Sequence, residues 1–333
     1  MKQNSVSQLY FSNKDLTERL EQILAYIKTE TPFVLDKPLQ KSSWWNSKKI
    51  GAIHYSGSFN NTPAILKIQG TKPTTSEALM IENFTNQNQS QLIRAPKIYL
   101  YLPWQEKLEF EAIIMEETNH QKIVNLPASN LEITTFFNLY HEYKKKCLNK
   151  PWLEKPNISL AEQTLKNFAT WQKISAEIHP NHPLKKSTDP ELIKKGINHL
   201  AKKLDKTTWQ FMHGHFSTRD LYQTNKETII LSNLYWSWRQ PFYDAVFGFH
   251  WYQYDLANTE NISLETLLVQ RKTWKEYILN NIPQTELDHE LLELAFLERN
   301  LAGLNLDGLI SVSPKAKALI QLTREDIAKA INR

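Results

Sequence analysis

The chain has 333 residues, and its 41% hydrophobic and 11% aromatic content exceeds what an intrinsically disordered protein carries, so a packed core is expected. The net charge of +5 comes from lysines scattered over predicted helix faces, which argues against a nucleic-acid partner. The single cysteine, Cys147, excludes an intramolecular disulfide and a cysteine-based zinc site, as is typical of a protein in the reducing cytoplasm. The polar first residues and the absence of a long apolar run predict a soluble chain without a signal peptide or a membrane partner.

An amphipathic helix is predicted over residues 13–28, with Ser12 and Asp15 as start signals. We expect it to belong to an N-terminal helical extension, residues 1–40, which packs behind the following strands or mediates dimerisation. The apolar residues on its one face are Leu16, Leu20, Ile23, Leu24 and Ile27.

Strand patterns follow between Trp44 and Gln69, in the segments WWNSKKI, GAIHYSGSF and AILKIQ. Lys67 is the one charged residue of the third strand. A lysine with a buried stem can neutralise nucleotide phosphates, whereas a lysine of an edge strand points to water. A helix with entry signals from Pro73 comes next, and its Glu77 lies ten residues after Lys67. Two more strands, APKIYLYLPW and EFEAIIMEET, complete the predicted antiparallel sheet.

Beyond residue 118 the pattern becomes helical. Three helix starts are recognisable from their capping residues, which are Ser129 with Glu132, Ser159 with Glu162, and Asp189 with Pro190. Further helices are predicted over residues 263–280, 286–300 and 314–332, with turns at Gly303 and Gly308. The sequence therefore predicts an α+β fold, with a small sheet-containing lobe over residues 41–118 and a helical large lobe over residues 119–333.

The segment of residues 211–255 carries the densest set of reactive side chains. It begins with a His213-Gly214-His215 turn, runs through a polar loop to Asp220, forms a hairpin around residues 224–226 and ends in an aromatic-rich helix that starts near Pro241. Alternating histidines followed by an aspartate can share a zinc or iron ion, as in a metal-dependent hydrolase. A histidine that only braces the loop is the other interpretation.

This order of features resembles the catalytic segment of the aminoglycoside phosphotransferase and choline kinase group of kinase-like folds. The shared pattern is His-Gly-x, an acidic or amide residue five positions after x, a hairpin, and Pro-x-x-Asp. The resemblance implies a two-lobed protein-kinase-like fold in which Lys67 and Glu77 form the ion pair that positions nucleotide phosphates. It also implies a hinge whose backbone binds the adenine edge, at residues Met115, Glu116, Glu117 and Thr118.

The reactive positions of that family carry different residues in this chain. His215 stands where the family has the aspartate that accepts the hydroxyl proton, and Asp220 stands where an asparagine binds metal. Ser232 stands at the second metal-binding aspartate, or Asn233 if the alignment shifts by one residue. The glycine-rich phosphate loop is also absent, because residues 47–52 contain only Gly51.

The family residues that remain, His213 and Asp244, have structural roles: the first braces the loop and the second begins the following helix. Three hypotheses follow. The chain is a pseudokinase that binds a nucleotide such as ATP, another small ligand or a protein partner with little or no phosphoryl transfer. Alternatively, it is an active ATP-dependent phosphotransferase for a small-molecule hydroxyl, with His215 as base and Asp220 as the main Mg²⁺ ligand. The third hypothesis is the metal-dependent hydrolase that uses the His-Gly-His loop.

Overall fold

The computed structural model describes residues 14–41, 52–118, 121–148, 150–178, 181–224, 226–310 and 312–332. The chain forms two compact units. The small unit comprises Met1–Asn86 and Arg94–His120, and the large unit comprises Gln87–Ile93 and Gln121–Arg333. The small unit contains an antiparallel sheet and the large unit is mainly helical, which confirms the predicted two-lobed α+β architecture.

The small unit is organised around an antiparallel sheet with the strand order β1-β2-β3-β6-β5. Helix α1 packs on this sheet through Ile23 and Ile27, which are fully or almost fully buried against Leu66, Phe110 and other apolar strand residues. The elements are α1 (Lys14–Glu30), β1 (Phe33–Lys41), β2 (Ala52–Phe59), β3 (Thr62–Gln69), α2 (Glu77–Gln87), β5 (Ile98–Gln105) and β6 (Phe110–Glu116).

Strand β1 is not anticipated from the sequence, because two register shifts against β2 and an exposed Pro38 break the alternation of apolar and polar residues. The other outer strand, β5, has the same construction: it also carries an exposed proline, Pro103, and two register shifts against β6. The predicted strand at residues 44–50 and the phosphate loop with Gly51 lie outside the described residues, as does the helix start signal Ser12.

The large unit begins with a short sheet and continues with long helices. Its strands β4 (Ile93–Arg94), β7 (Gln121–Lys122), β9 (Leu221–Gln223) and β10 (Thr228–Ile230) pair in the order β4-β10-β9-β7, and β8 (Gln210–Met212) pairs with β11 (Ser237–Arg239). The β9–β10 pair is the predicted hairpin, of which residue 225 lies outside the described part. The helices are α3 (Asn130–Lys146), α4 (Leu160–Ile178), α5 (Pro190–Leu204), α6 (Tyr243–Asn258), α7 (Leu264–Asn281), α8 (Glu286–Asn305) and α9 (Pro314–Ile331).

The predicted helix starts are present because their capping side chains satisfy free backbone N–H groups. Ser129 and Glu132 form a complete capping box at α3. The Ser159 hydroxyl accepts from the backbone N–H of Glu162 at 3.1 Å, and the Asp189 carboxylate caps α5. Within the described residues, every helix is too short or too polar to cross a membrane.

One predicted turn is wrong. Gly308 lies in a 3-10 turn (Asp307–Ile310), but Gly303 lies inside α8, which continues to Asn305. A Cβ atom on Gly303 would lie 2.3 Å from the Tyr254 hydroxyl of α6. Glycine therefore allows α6 and α8 to approach closely at this position, and it does not end the helix.

Candidate functional site

In the small unit, Lys67 and Glu77 form a buried ion pair. Lys67 lies on β3 and Glu77 in the first turn of α2, and the Lys67 Nζ contacts the Glu77 Oε2. Their side chains are only 11% and 8% exposed. The strand and the helix are held together beside the pair by an apolar cluster of Ile65, Ala78, Ile113 and Met115. The arrangement holds the Lys67 ammonium in a buried position through its contact with Glu77.

A second buried carboxylate, Glu111 on β6, is not anticipated from the sequence. It lies opposite Gln69 of β3 and is 3% exposed, and the Tyr101 hydroxyl donates to it at 3.2 Å. Burial raises the pKa of the Glu111 carboxyl, and the nearby negative charge of Glu77 raises it further. A single charge inside the apolar run FEAIIM is the same signal that marks Lys67, and it could have identified Glu111 as well.

Several polar groups of the predicted hinge already form hydrogen bonds or ion pairs inside the small unit. The Glu116 carboxylate pairs with Arg94 and accepts from the Lys97 backbone N–H at 2.7 Å. The Glu116 backbone N–H donates to the Lys97 carbonyl at 2.9 Å, and that of Glu117 to the Pro63 carbonyl at 3.4 Å. The other two hinge residues, Met115 and Thr118, are buried. The backbone N–H of Glu116 is therefore not free to bind an adenine edge.

In the large unit, the His213-Gly214-His215 turn requires its glycine. Gly214 has φ = 73°, and a Cβ atom there would lie 2.6 Å from the Tyr235 carbonyl oxygen. His213 is fully buried, and its ring meets the Trp236 ring edge-on at 5.0 Å. Burial lowers the pKa of His213 to about 3, so its imidazole is neutral at physiological pH.

Asp244 fixes this turn from the first turn of α6. Its Oδ2 accepts from the Tyr143 hydroxyl at 2.7 Å and from the Gly214 backbone N–H at 3.3 Å. The Tyr143 oxygen in turn accepts from the His213 backbone N–H at 2.6 Å. Burial raises the pKa of Asp244, and the hydrogen bond from Tyr143 partly offsets that effect. The carboxylate thus holds the turn in place, as its structural role predicts.

The carboxylate of Asp220 is surrounded by three donors of its own chain. Its Oδ2 lies 2.8 Å from His215 Nδ1 and also contacts the Ser217 hydroxyl, and its Oδ1 accepts from the Ser232 hydroxyl at 2.6 Å. Burial alone would raise the pKa of Asp220, but the charge of His215 and the three hydrogen bonds outweigh it and lower the pKa to about 2. Asp220 is therefore a stably ionised carboxylate whose lone pairs are largely used.

The His215 ring is held between two aromatic side chains. It stacks on Tyr235 at a centroid distance of 4.4 Å and an interplanar angle of 17°, and it meets Phe247 of α6 at 4.7 Å. The bond from Nδ1 to Asp220 fixes the rotation of the ring. The orientation of the imidazole is thus set on both faces and at one edge.

Ser232 and Asn233, the two candidates for the second metal-binding position, occupy different environments. Ser232 has φ = 60° and directs its hydroxyl to Asp220. Asn233 is fully buried, donates to the Ile230 carbonyl at 2.8 Å and accepts from the Trp236 indole N–H at 3.0 Å. The structure brings Ser232 to Asp220 and leaves Asn233 to hold the following 3-10 turn (Asn233–Tyr235).

Arg219 and Asp255 form a contact that the sequence does not reveal. The Arg219 guanidinium holds both oxygens of the Asp255 carboxylate on α6, with Nε 2.9 Å from each, and it lies 4.4 Å from the centre of the Trp251 ring. Asp255 is thereby committed to Arg219. The two residues are 36 positions apart in the sequence, and no periodic pattern at that distance could have predicted that they pair.

These residues do not fit the Mg²⁺ ion that the fold implies. Within the described ranges, no group of three histidine, cysteine, aspartate or glutamate side chains could hold a metal ion. Three donors use most of the lone pairs of Asp220, Asp244 and Asp255 have other partners, and Ser232 supplies a hydroxyl in place of a carboxylate. His213, a ligand of the alternative hydrolase site, is fully buried with its ring against Trp236.

No protein-family model matches the sequence, and no curated protein matches it significantly. Solved structures do match. A thermostable mutant of the aminoglycoside phosphotransferase APH(4)-Ia, in ternary complex with ADP and hygromycin B, has a TM-score of 0.60 and 11% identity over 93% of this chain and 98% of that chain. The choline kinase of Cryptosporidium parvum has a TM-score of 0.57 and 12% identity over 93% of this chain and 95% of that chain. Amicoumacin kinase hAmiN, in complex with AMP-PNP, Ca²⁺ and Ami, has a TM-score of 0.58 and 12% identity over 95% and 96%.

These matches confirm that the chain has the fold of the aminoglycoside phosphotransferase and choline kinase group over most of its length. At such low identity they show the fold alone, so the chemistry has to be argued from the residues of the two units.

Proposed function

We propose that this chain is a pseudokinase: a kinase-fold protein that binds a nucleotide or another small ligand and transfers a phosphoryl group little or not at all. The observation that carries the proposal is the Asp220 carboxylate, which the resemblance assigns to a metal-binding position and which already has hydrogen-bond partners in His215, Ser217 and Ser232. These three partners use most of the lone pairs that a cation would need.

The charge of the cluster supports the same conclusion. Phosphoryl transfer in this fold depends on neutralising the phosphate charge that develops between nucleotide and acceptor. Asp220 is the one carboxylate of this cluster, and the hydroxyl of Ser232 adds no negative charge that would help to retain a divalent cation.

Ligand binding, in contrast, is supported by the small unit. The Lys67 ammonium has three N–H donors, of which the structure shows one directed at Glu77. Glu77 holds the ammonium in place, and the remaining donors suit the phosphate oxygens of a nucleotide. The solved neighbours include complexes with ADP and AMP-PNP, which makes a nucleotide the first ligand to test.

The test is a thermal-shift titration with ATP, with and without Mg²⁺, since a ligand that binds only the folded state raises its melting temperature. We expect ATP to stabilise the wild type equally in both conditions and to leave Lys67→Met unaffected. In the double variant His215→Asp/Ser232→Asp, which adds two carboxylates beside Asp220, we expect the shift to become dependent on Mg²⁺. No shift at millimolar ATP would refute nucleotide binding, and phosphorylated product above the Lys67→Met control would refute the pseudokinase proposal.

A second candidate is an active phosphotransferase with His215 as general base, favoured by the 2.8 Å contact between its Nδ1 and Asp220. A carboxylate that holds Nδ1 orients a histidine and stabilises its protonated form when the ring accepts a proton. In this arrangement Asp220 positions the base and is not a metal ligand. Product formation that is lost in His215→Gln and kept in Lys72→Met, a distant surface variant, would support this candidate.

We also propose a cytoplasmic location. The sequence has a single cysteine, Cys147, which is buried as a free thiol, and proteins of a reducing compartment typically lack disulfide bonds. A pseudokinase without phosphoryl transfer can function only by binding other molecules, so we include a protein partner in the proposal.

A further inference from the structure

We propose, as an extension that rests on the proposed function, that the large unit binds an oxyanion at Arg239, beside the His213-Gly214-His215 turn. The ligand class is a small molecule with a carboxylate or phosphate group next to an aromatic or other flat apolar part.

Arg239 ends strand β11 and is held against the turn. Its Nε donates to the Ser237 hydroxyl at 3.0 Å and lies 3.6 Å from the position that a Cβ atom of Gly214 would take. Its guanidinium lies 5.1 Å from the centre of the Tyr243 ring, and Tyr243 stacks on Phe247, which also contacts His215. The guanidinium is therefore half-buried, and the rings of Tyr243 and Phe247 connect it to His215.

The partners of Arg239 set it apart from the other two arginines that contact this aromatic group. Arg219 holds the Asp255 carboxylate with two nitrogens, and Arg299 holds that of Glu298. In the described part of the chain, Arg239 has no carboxylate within ion-pair distance, and its only hydrogen bond uses one of its five N–H donors. The positive charge of Arg239 acts on the buried Asp244 and lowers its pKa, but the Oδ2 of Asp244 accepts from Tyr143 and Gly214.

The next residue gives an independent indication of a missing polar partner. Gln240 is 4% exposed, and neither its side-chain nitrogen nor its side-chain oxygen has a hydrogen-bond partner among the described residues. A buried amide with both atoms unused is destabilising unless something binds it. The Gln240 amide therefore has hydrogen-bonding groups that the described part of the chain does not use, at the position next to Arg239 in the sequence.

The side chains define the ligand chemistry. A guanidinium fork with free donors fits the two oxygens of a carboxylate or phosphate, and its half-buried position strengthens the attraction. Tyr235, which stacks on His215, is 39% exposed and offers an aromatic face to the flat part of a ligand. An anion with an aromatic body satisfies both features.

Phenylphosphonate is a suitable probe, because it combines both groups and is not hydrolysed. In isothermal titration calorimetry we expect wild type to bind it, Arg239→Gln to weaken binding by at least about tenfold, and Arg239→Lys to show an intermediate loss. The matched control is Arg324→Gln, since Arg324 is half-buried like Arg239 and pairs with Asp189, a residue outside the proposed site. Unchanged affinity in a folded Arg239→Gln variant would overturn the proposal, as would no binding of millimolar phenylphosphonate to wild type.

Nuclear magnetic resonance can locate the bound probe. The sequence contains a single His-Gly pair, so labelling histidine carbonyls with ¹³C and glycine nitrogens with ¹⁵N selects the amide signal of Gly214 alone. We expect phenylphosphonate to shift this signal in wild type and in Arg324→Gln, and not in Arg239→Gln. Binding without any shift of the Gly214 signal would place the anion elsewhere and refute the site.

The variant Lys67→Met separates the failure of this site from that of the proposed function. We expect it to lose ATP binding and to bind phenylphosphonate as wild type does, with the reverse pattern in Arg239→Gln. If wild type binds phenylphosphonate at Arg239 but not ATP, nucleotide binding fails and the anion site stands. If wild type binds ATP but the phenylphosphonate signals do not depend on Arg239, the anion site fails alone.

Discussion

The small unit and the large unit each bury a carboxylate among hydrogen-bond donors of the same unit, but they differ in which group has bonding capacity left. In the pair of Lys67 and Glu77, the ammonium has donors to spare, and a phosphate can use them. In the cluster around Asp220, the carboxylate is the group that would serve a metal ion, and three donors already use most of its lone pairs. Under the proposed function, the small unit keeps a group that can bind phosphate, and the large unit lacks the groups that would bind a metal ion.

The largest expected effect comes from removing the cation of the small unit. Lys67→Met leaves the Glu77 carboxylate buried without a partner, so we expect the free energy of unfolding to fall by about 3–5 kcal/mol. The double variant Lys67→Met/Glu77→Leu should recover most of this loss, because no isolated charge remains. Urea denaturation measures both, with Lys72→Met, from an exposed ion pair, as a control that changes little. Equal stability of the single and double variants would contradict a buried, mutually dependent pair.

The next effect concerns the carboxylate of the large unit. The folded-state pKa of Asp220, about 2, is below its ordinary value of 3.8, so ionised Asp220 stabilises the fold above pH 4 and this contribution disappears as the pH falls towards 2. We expect Asp220→Asn to lower the free energy of unfolding by about 2 kcal/mol at pH 7 and by much less near pH 3. Urea denaturation across this pH range measures the difference. A loss that is independent of pH would show that the charge of Asp220 is not what stabilises the cluster.

A smaller effect separates the hydrogen bond of Ser232 from its backbone strain. Ser232→Ala removes a donor to a charged acceptor, and we expect a loss of about 1.5–2 kcal/mol. Ser232→Gly removes the same donor but relieves the positive φ of 60°, so it should be more stable than the alanine variant by about 0.5–1 kcal/mol. Thermal unfolding of the two variants tests this order. Alanine at least as stable as glycine would mean that the backbone at residue 232 is not strained.

The smallest effect has the opposite sign. The raised pKa of Glu111 means that its ionised form destabilises the small unit once the pH exceeds its ordinary pKa. Glu111→Gln should keep the hydrogen bond from Tyr101 and slightly raise the melting temperature at pH 7, with the gain vanishing below about pH 4. A lower melting temperature at pH 7 would indicate that the negative charge of Glu111 supports Lys67.

Local chemistry made much of the fold predictable from the sequence. Caps such as Ser129 with Glu132 depend on residues three positions apart. The pair of Lys67 and Glu77 was implied by the resemblance to kinase-like folds, and the structure brings these two residues into contact. The order of strands and helices followed from hydrophobic periodicity, except at β1, where bulges remove that periodicity.

The remaining features depend on which distant residues meet in the folded chain. Ser232 and Asn233 could not be distinguished from the sequence, because the left-handed backbone at Ser232 decides which side chain reaches Asp220. The pairing of Arg219 with Asp255 and the contact of Arg239 with Tyr243 arise because α6 packs against the loop and strand that precede it. No local pattern encodes such contacts.

The two prolines of the outer strands have a consequence for how copies of this protein behave when crowded together. An outer strand with free N–H and C=O groups is a template on which another chain can add a strand, which is a common start of aggregation. Pro38 in β1 and Pro103 in β5 each remove one N–H donor, and the register shifts beside them bend the strand away from a straight ladder. Both edges of the five-stranded sheet are thus poor templates for the addition of another strand. We expect any self-association of this protein to use other surfaces.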